Sequence, residues 1–175
     1  KELRLLNWKP LAFPAKKIDV VLLTHGHLDH TGYLPRLVKE GFSGAIIGTS
    51  PTLQIAEIIL KDSAKIQEED AIRANKHHYS IHSPALPLYN LDDVEKTLPF
   101  FQGASLNEWT NIDENIRYRF RYNGHILGAT FIELQVGKKT LVISGERAEE
   151  SPARAKYKNF EPDRSDNREG AKVDR

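Results

Sequence analysis

The 175-residue chain contains no cysteine and no methionine. Without cysteine it has neither a disulfide framework nor a thiolate metal site, so any bound metal must be held by histidine and carboxylate. Without methionine, and with Lys1 at its start, it is expected to be a piece of a longer translation product. Long apolar runs are missing as well. A run such as Val20 to Leu23 is far short of the roughly 20 residues a membrane span needs. The opening Lys1-Glu2-Leu3-Arg4 carries no signal-peptide core, so the expected setting is the cytoplasm, with no membrane contact. Excess charge of one sign is also absent. With 25 basic against 24 acidic residues, a nucleic-acid footprint would have to come from local clustering. What remains is a 39% hydrophobic chain, long enough for one domain with its own core and too short for a second large one.

After a segment punctuated by Pro10 and Pro14, the aliphatic run Ile18 to Leu23 predicts a buried strand. Tyr33, Leu34, Leu37 and Val38 then recur at helical spacing, which predicts a helix from near Asp29 or Thr31 to just before Gly41. Ala45-Ile46-Ile47 predicts a second short strand. Ser50-Pro51 reads as a helix N-cap followed by proline at the first helical position. From there a helix is expected to about Asn75, with Leu53, Ala56, Ile59, Leu60 and Ile66 as its apolar stripe and Glu57 and Lys61 as an i,i+4 pair. Ser83 to Pro87 must be loop or extended, and Asp92 to Phe101 predicts another short helix. From Ile116 to Tyr122 the period becomes two, the pattern of a half-buried strand. Ala129 to Val136 and Thr140 to Ser144, joined by Gly137-Lys138-Lys139, predict a hairpin. Glu146 to Arg175 holds eight basic and eight acidic residues among thirty, too polar to offset its ordering entropy, and is expected to be a disordered tail. The division is therefore residues 1–145 as the folded part and 146–175 as the tail.

Four side chains able to bind metal fall within six residues directly after the first strand: His25, His27, Asp29 and His30. At average composition a His-x-His-x-Asp-His run arises by chance in a chain this long on the order of once in ten thousand. His25 and His27 can point the same way from an extended loop while Asp29 and His30 project differently, so one segment can serve two metals. Two-metal hydrolytic sites hold their ions about 3.5 to 4 Å apart. The competing interpretation is a strand-to-helix loop in which Asp29 caps the helix and the histidines are solvated. Two further candidates are His125, in a loop flanked by Gly124 and Gly128, and Glu146, a carboxylate at the end of a strand that could bridge two cations or simply begin the solvated tail.

The segment Leu22-Leu23-Thr24-His25-Gly26-His27-Leu28-Asp29-His30-Thr31-Gly32 resembles the signature of the metallo-β-lactamase superfamily. Gly124-His125-Ile126-Leu127-Gly128-Ala129 is similar, more specifically, to its β-CASP branch of RNA-processing nucleases. Residues 62–70 and 84–89 resemble a bacterial and archaeal subset of that branch. The resemblance covers Lys1 to Gly145 and implies an α/β fold, a partial αββα sandwich truncated at both ends. It implies two zinc ions: His25, His27 and His125 on one, Asp29 and His30 on the other. Asp29 would also be catalytic, orienting the attacking hydroxide, and the substrate would be RNA. In the family the Ser144-Gly145-Glu146 position ends in a bridging Asp. Glu carries the carboxylate outward by a methylene, which is expected to disturb a bridge in a site whose distances tolerate about 0.2 Å. The resemblance also implies a β-CASP domain and a final zinc-binding histidine, which are expected to lie outside these 175 residues. Homodimerisation is compatible with this reading.

Two rival functions stay open: a superfamily hydrolase acting on a thioester, lactone or β-lactam, and a non-catalytic form of the fold. Arg117, Arg119 and Arg121 share one strand face, expected to be a solvated face opposite an aromatic core face, with a phosphate-contacting stripe as the alternative. His77, His78 and His82 lack a carboxylate partner at ligand spacing and are expected to be helix-end and loop residues.

Overall fold

A computed structural model describes residues 6–80 and 82–146. The expected tail, apart from Glu146, lies outside the described residues.

Three parallel strands form the first sheet: β1 (Val20–Leu22), β2 (Ala45–Gly48) and β3 (Phe101–Gly103), in that order. The second sheet is antiparallel, in the order β4 (Thr110–Asn111), β5 (Ile116–Tyr122), β6 (Thr130–Val136) and β7 (Lys139–Ser144). Helices α1 (Leu28–Thr31), α2 (Leu34–Lys39), α3 (Ser50–His77) and α4 (Leu91–Thr97) complete the described elements, with 3-10 turns at Ala15–Lys17 and Leu98–Phe100. The α/β class and the αββ part of the expected sandwich are both present.

Two apolar clusters account for the layering. Leu23, Leu34, Phe42, Ile46, Leu60 and Val94 join the helices to one face of the parallel sheet. Ile47, Tyr118, Phe120 and Ile132 fill the space between the two sheets. Adjacent Ile46 and Ile47 serve opposite clusters because successive strand side chains point to opposite faces. Ile46 and Leu60 are fully buried, each contributing about 1.5 to 3 kcal/mol.

Several boundaries differ from the sequence reading. The helix after the histidine motif is two short helices interrupted at Gly32-Tyr33, and it begins at Leu28, with His27 rather than Asp29 at the cap position. In α3 the cap is Thr49, whose Oγ1 accepts the Thr52 N–H at 3.4 Å, so Ser50 is the first helical residue. The stripe of α3 leaves Ile66, which is 53% exposed, and continues at Ala64. Glu57 and Lys61 pair at 2.8 Å, and Lys61 also reaches Glu95 of α4 at 3.0 Å. Phe101 is not the end of a helix but the start of β3, a strand whose three residues carry too little pattern to be seen beforehand.

The arginine face of β5 is not simply solvated. Arg119 donates through Nε to Glu133 at 2.7 Å, and Arg121 lies 3.9 Å from the same carboxylate. Arg117 bonds Gln135, and Arg117 and Arg119 sit 4.4 and 4.5 Å from the Trp109 ring centroid. Trp109, ten positions earlier in the chain than Arg119, covers this face and was not predictable from the alternation. Trp109→Ala is expected to cost about 2 kcal/mol, since cation–π contacts contribute about 0.5 to 1 each and packed area is lost besides. A urea melt with an unchanged midpoint would refute that role.

Candidate metal centre

The site forms where one end of each sheet meets the other. β5 ends at Tyr122, β6 begins at Thr130 and β7 ends at Ser144, so these three termini lie together. Thr130 donates its backbone N–H (2.8 Å) and its hydroxyl (3.1 Å) to the Thr24 carbonyl, which docks that end of the antiparallel sheet onto the residue before His25.

Three imidazole nitrogens converge there. His25 Nε2 is 3.1 Å from His27 Nδ1, and His125 Nε2 is 3.3 Å from the same atom. Glu146 Oε2 stands 2.8 Å from His125 Nε2 and 3.8 Å from His27 Nδ1. These four ligand atoms lie within 4.8 Å of one another, and Glu146 also forms a second such group with Asp29 and His30. The structure thus brings together all six residues singled out in the sequence, in two groups that share Glu146.

The spacing fits a metal. Nitrogens 2.0 to 2.1 Å from a tetrahedral zinc lie about 3.3 Å apart, close to the observed separations. The donor set, imidazole and carboxylate without thiolate, is also one zinc accepts. His25 is fully buried. Burial, reinforced by the His30, His27 and His125 rings around it, lowers its pKa to about 4, so the imidazole is neutral and ready to ligate at physiological pH. Its other nitrogen, Nδ1, is hydrogen-bonded to the Thr24 hydroxyl at 3.1 Å, which sets the ring orientation. Asp29 is open to solvent and 3.6 Å from His30 Nε2.

Supporting residues were less visible in the sequence. Asn123 accepts the His125 N–H at 3.1 Å and donates to the Glu146 carbonyl at 3.1 Å, joining two ligand-bearing loops. Thr49 and Thr52, both buried at the start of α3, donate their hydroxyls to the Gly128 carbonyl at 2.7 and 2.9 Å. Gly145 lets the end of β7 pass over His25: a Cβ there would stand 2.7 Å from Thr24 Oγ1 and 3.0 Å from His25 Nδ1. His77, His78 and His82 take the expected helix-end and loop positions and join neither ligand set.

The profile of the metallo-beta-lactamase superfamily matches residues 4–65. Ribonuclease TTHA0252 of Thermus thermophilus is 34% identical over 140 residues, 80% of this chain and 28% of its own length. The chain belongs to the metallo-β-lactamase superfamily, in its β-CASP branch. Two more relatives are similar over nearly as many residues. The Integrator complex subunit 11 homolog of Dictyostelium discoideum is 33% identical over 75% of this chain and 16% of its own length. Transcription termination factor FttA of Methanothermobacter thermautotrophicus is 29% identical over 77% and 19%. The chain therefore spans less than a third of the length of these superfamily relatives. Among solved structures, the dizinc quorum-quenching lactonase AidC is 19% identical, with a TM-score of 0.44 over 75% of this chain and 42% of that one. No helix among the described residues of this β-CASP chain is long and apolar enough to cross a membrane.

Proposed function

We propose that this chain carries the metal-binding part of a zinc-dependent ribonuclease, with His25, His27 and His125 on one ion, Asp29 and His30 on a second, and Glu146 between them. The observation that carries the reading is the convergence of three imidazole nitrogens on a carboxylate shared with a second acidic group. A zinc ion held by these residues would make a bound water acidic enough to ionise near neutral pH and would polarise a phosphoryl oxygen. Asp29, open to solvent at the mouth of the site, orients the attacking water and takes its proton. Fixed ligands from three loops hold this geometry before substrate arrives, so little reorganisation accompanies the reaction. Support for RNA as the substrate comes from the names of the relatives, a ribonuclease, an Integrator subunit and a transcription termination factor.

The test is cleavage of an end-labelled single-stranded RNA by the zinc-loaded chain, run beside thioester, lactone and β-lactam substrates. RNA cleavage that stops on chelation and returns with zinc is the expected result. Turnover of a small ester without RNA cleavage would move the chain to another hydrolase class. Two zinc ions bound with no hydrolysis of any substrate would favour the non-catalytic form of the fold.

A further inference from the structure

Beside the metal centre runs a groove of about 1110 Å³, and Asp29 belongs to its wall. Its floor is the α3 face that carries Ser63, Gln67 and Asp70. Its far wall is the loop that follows α3, stitched to that helix by side chains. Asn75 exchanges two hydrogen bonds with the Ala85 backbone, at 2.9 and 2.7 Å. Gln67 accepts the Leu88 N–H at 3.0 Å, and Tyr89 donates its hydroxyl to Ser63 at 2.9 Å. The wall is therefore built rather than draped.

Aromatic surface is concentrated on this groove. Trp8 is 42% exposed and Tyr79 61%, and the Trp8 and His82 ring centroids lie 6.5 Å apart, tilted by 41°. Arg36 stands 5.9 Å from the Trp8 ring and backs it. At the roughly 3.4 Å spacing of bases in a nucleic-acid stack, a base held between two rings needs them about 7 Å apart, and the Trp8 and His82 centroids stand 6.5 Å apart. Among the described residues that line the groove are Asp29 and Asp70 but no lysine or arginine. Such a lining repels a phosphate backbone and suits uncharged planar rings, for which aromatic faces give sequence-tolerant stacking.

We propose that the groove is a nucleobase subsite, in which Trp8 and His82 stack an unpaired base of the RNA strand whose scissile phosphate lies at the metal centre. The inference rests on the ribonuclease reading for its substrate class, and it adds where a neighbouring base goes. It also requires that the base be unpaired, because a paired base does not expose its faces.

The two tryptophans of the chain are Trp8 and Trp109, and Trp109 is on the β5 arginine face. In the Trp109→Phe variant Trp8 is therefore the sole indole fluorophore. Titration of that variant with adenosine monophosphate, which has no phosphodiester bond to cleave, is expected to quench Trp8 emission saturably, and ribose 5-phosphate is expected not to. In the otherwise unchanged chain, Trp8→Ala is expected to weaken adenosine monophosphate binding about tenfold, with Trp8→Phe retaining most of it. Equal quenching by ribose 5-phosphate, or Trp8→Ala binding within twofold of the parent, would overturn the subsite. RNA cleavage persisting in the parent chain would then leave the ribonuclease reading standing. Base-specific quenching in a chain that never cleaves RNA would do the reverse.

Discussion

Replacing Glu146 by alanine is expected to lower bound zinc from two ions per chain to one or none and to reduce RNA cleavage by about 100-fold or more. The reason is its double membership. Glu146 Oε2 completes the set made by His25, His27 and His125, and the same side chain completes the set made by Asp29 and His30. The second set has no other carboxylate besides Asp29, and its side chains are exposed, so it has the weaker hold without the bridge. The first set keeps three imidazoles and should retain an ion with reduced affinity. Metal analysis after dialysis against a weak chelator reads the two ions separately. Glu146→Asp is the sharper variant. Its carboxylate retreats by about 1.5 Å, so if the backbone stays where Asn123 holds it, the bridge opens and one ion is lost. Retention of both ions by Glu146→Asp, with undiminished cleavage, would mean that the strand end adjusts and that side-chain length is immaterial there.

How much of this was legible in advance depended on whether a signal was local. His25, His27, Asp29 and His30 lie within one loop, so their chemistry could be read from spacing alone. His125 and Glu146 are separated from them by about a hundred residues in the sequence; a glycine-flanked loop and a strand end made them candidates, and family resemblance gave them roles, before the geometry brings all six together. The long helix and the β5 to β7 meander followed from periodicity. What escaped had no periodicity to show. Strand β3 has three residues, Trp109 covers the β5 arginines from a separate segment, and Thr49 acts as cap where the sequence pointed to Ser50. The threonines are the most instructive case. A buried threonine bonded to a distant carbonyl looks in sequence like any other threonine, because its role is fixed by what the fold brings against it.

That distant carbonyl belongs to Gly128, and Gly128→Ala is expected to be among the most damaging single changes in the chain. Gly128 has φ of +77°, and a Cβ there would meet the Thr52 N at 2.7 Å, Thr49 Oγ1 at 2.8 Å and Pro51 Cβ at 2.9 Å. The left-handed backbone alone costs alanine about 1 kcal/mol. Crowding against backbone at the start of α3 adds about 1 to 3 kcal/mol, since the helix terminus cannot move without disturbing its buried face. The total, about 2 to 4 kcal/mol, corresponds to a Tm lower by about 10 °C at this size. The damage should also reach the metal. Gly128 follows His125 by three residues, and the two hydroxyl bonds to its carbonyl fix that loop against α3. Pushing the loop away takes His125 Nε2 from its place beside His27 and Glu146. Zinc affinity of the first set should therefore fall even at temperatures where the fold survives. Gly137→Ala separates the two causes: its φ is +57°, but a Cβ there would meet nothing within 4 Å. That variant should lose only about 1 kcal/mol and keep its zinc. If the two alanine variants melted together and bound zinc alike, the clamp between α3 and the His125 loop would have no part in holding the site.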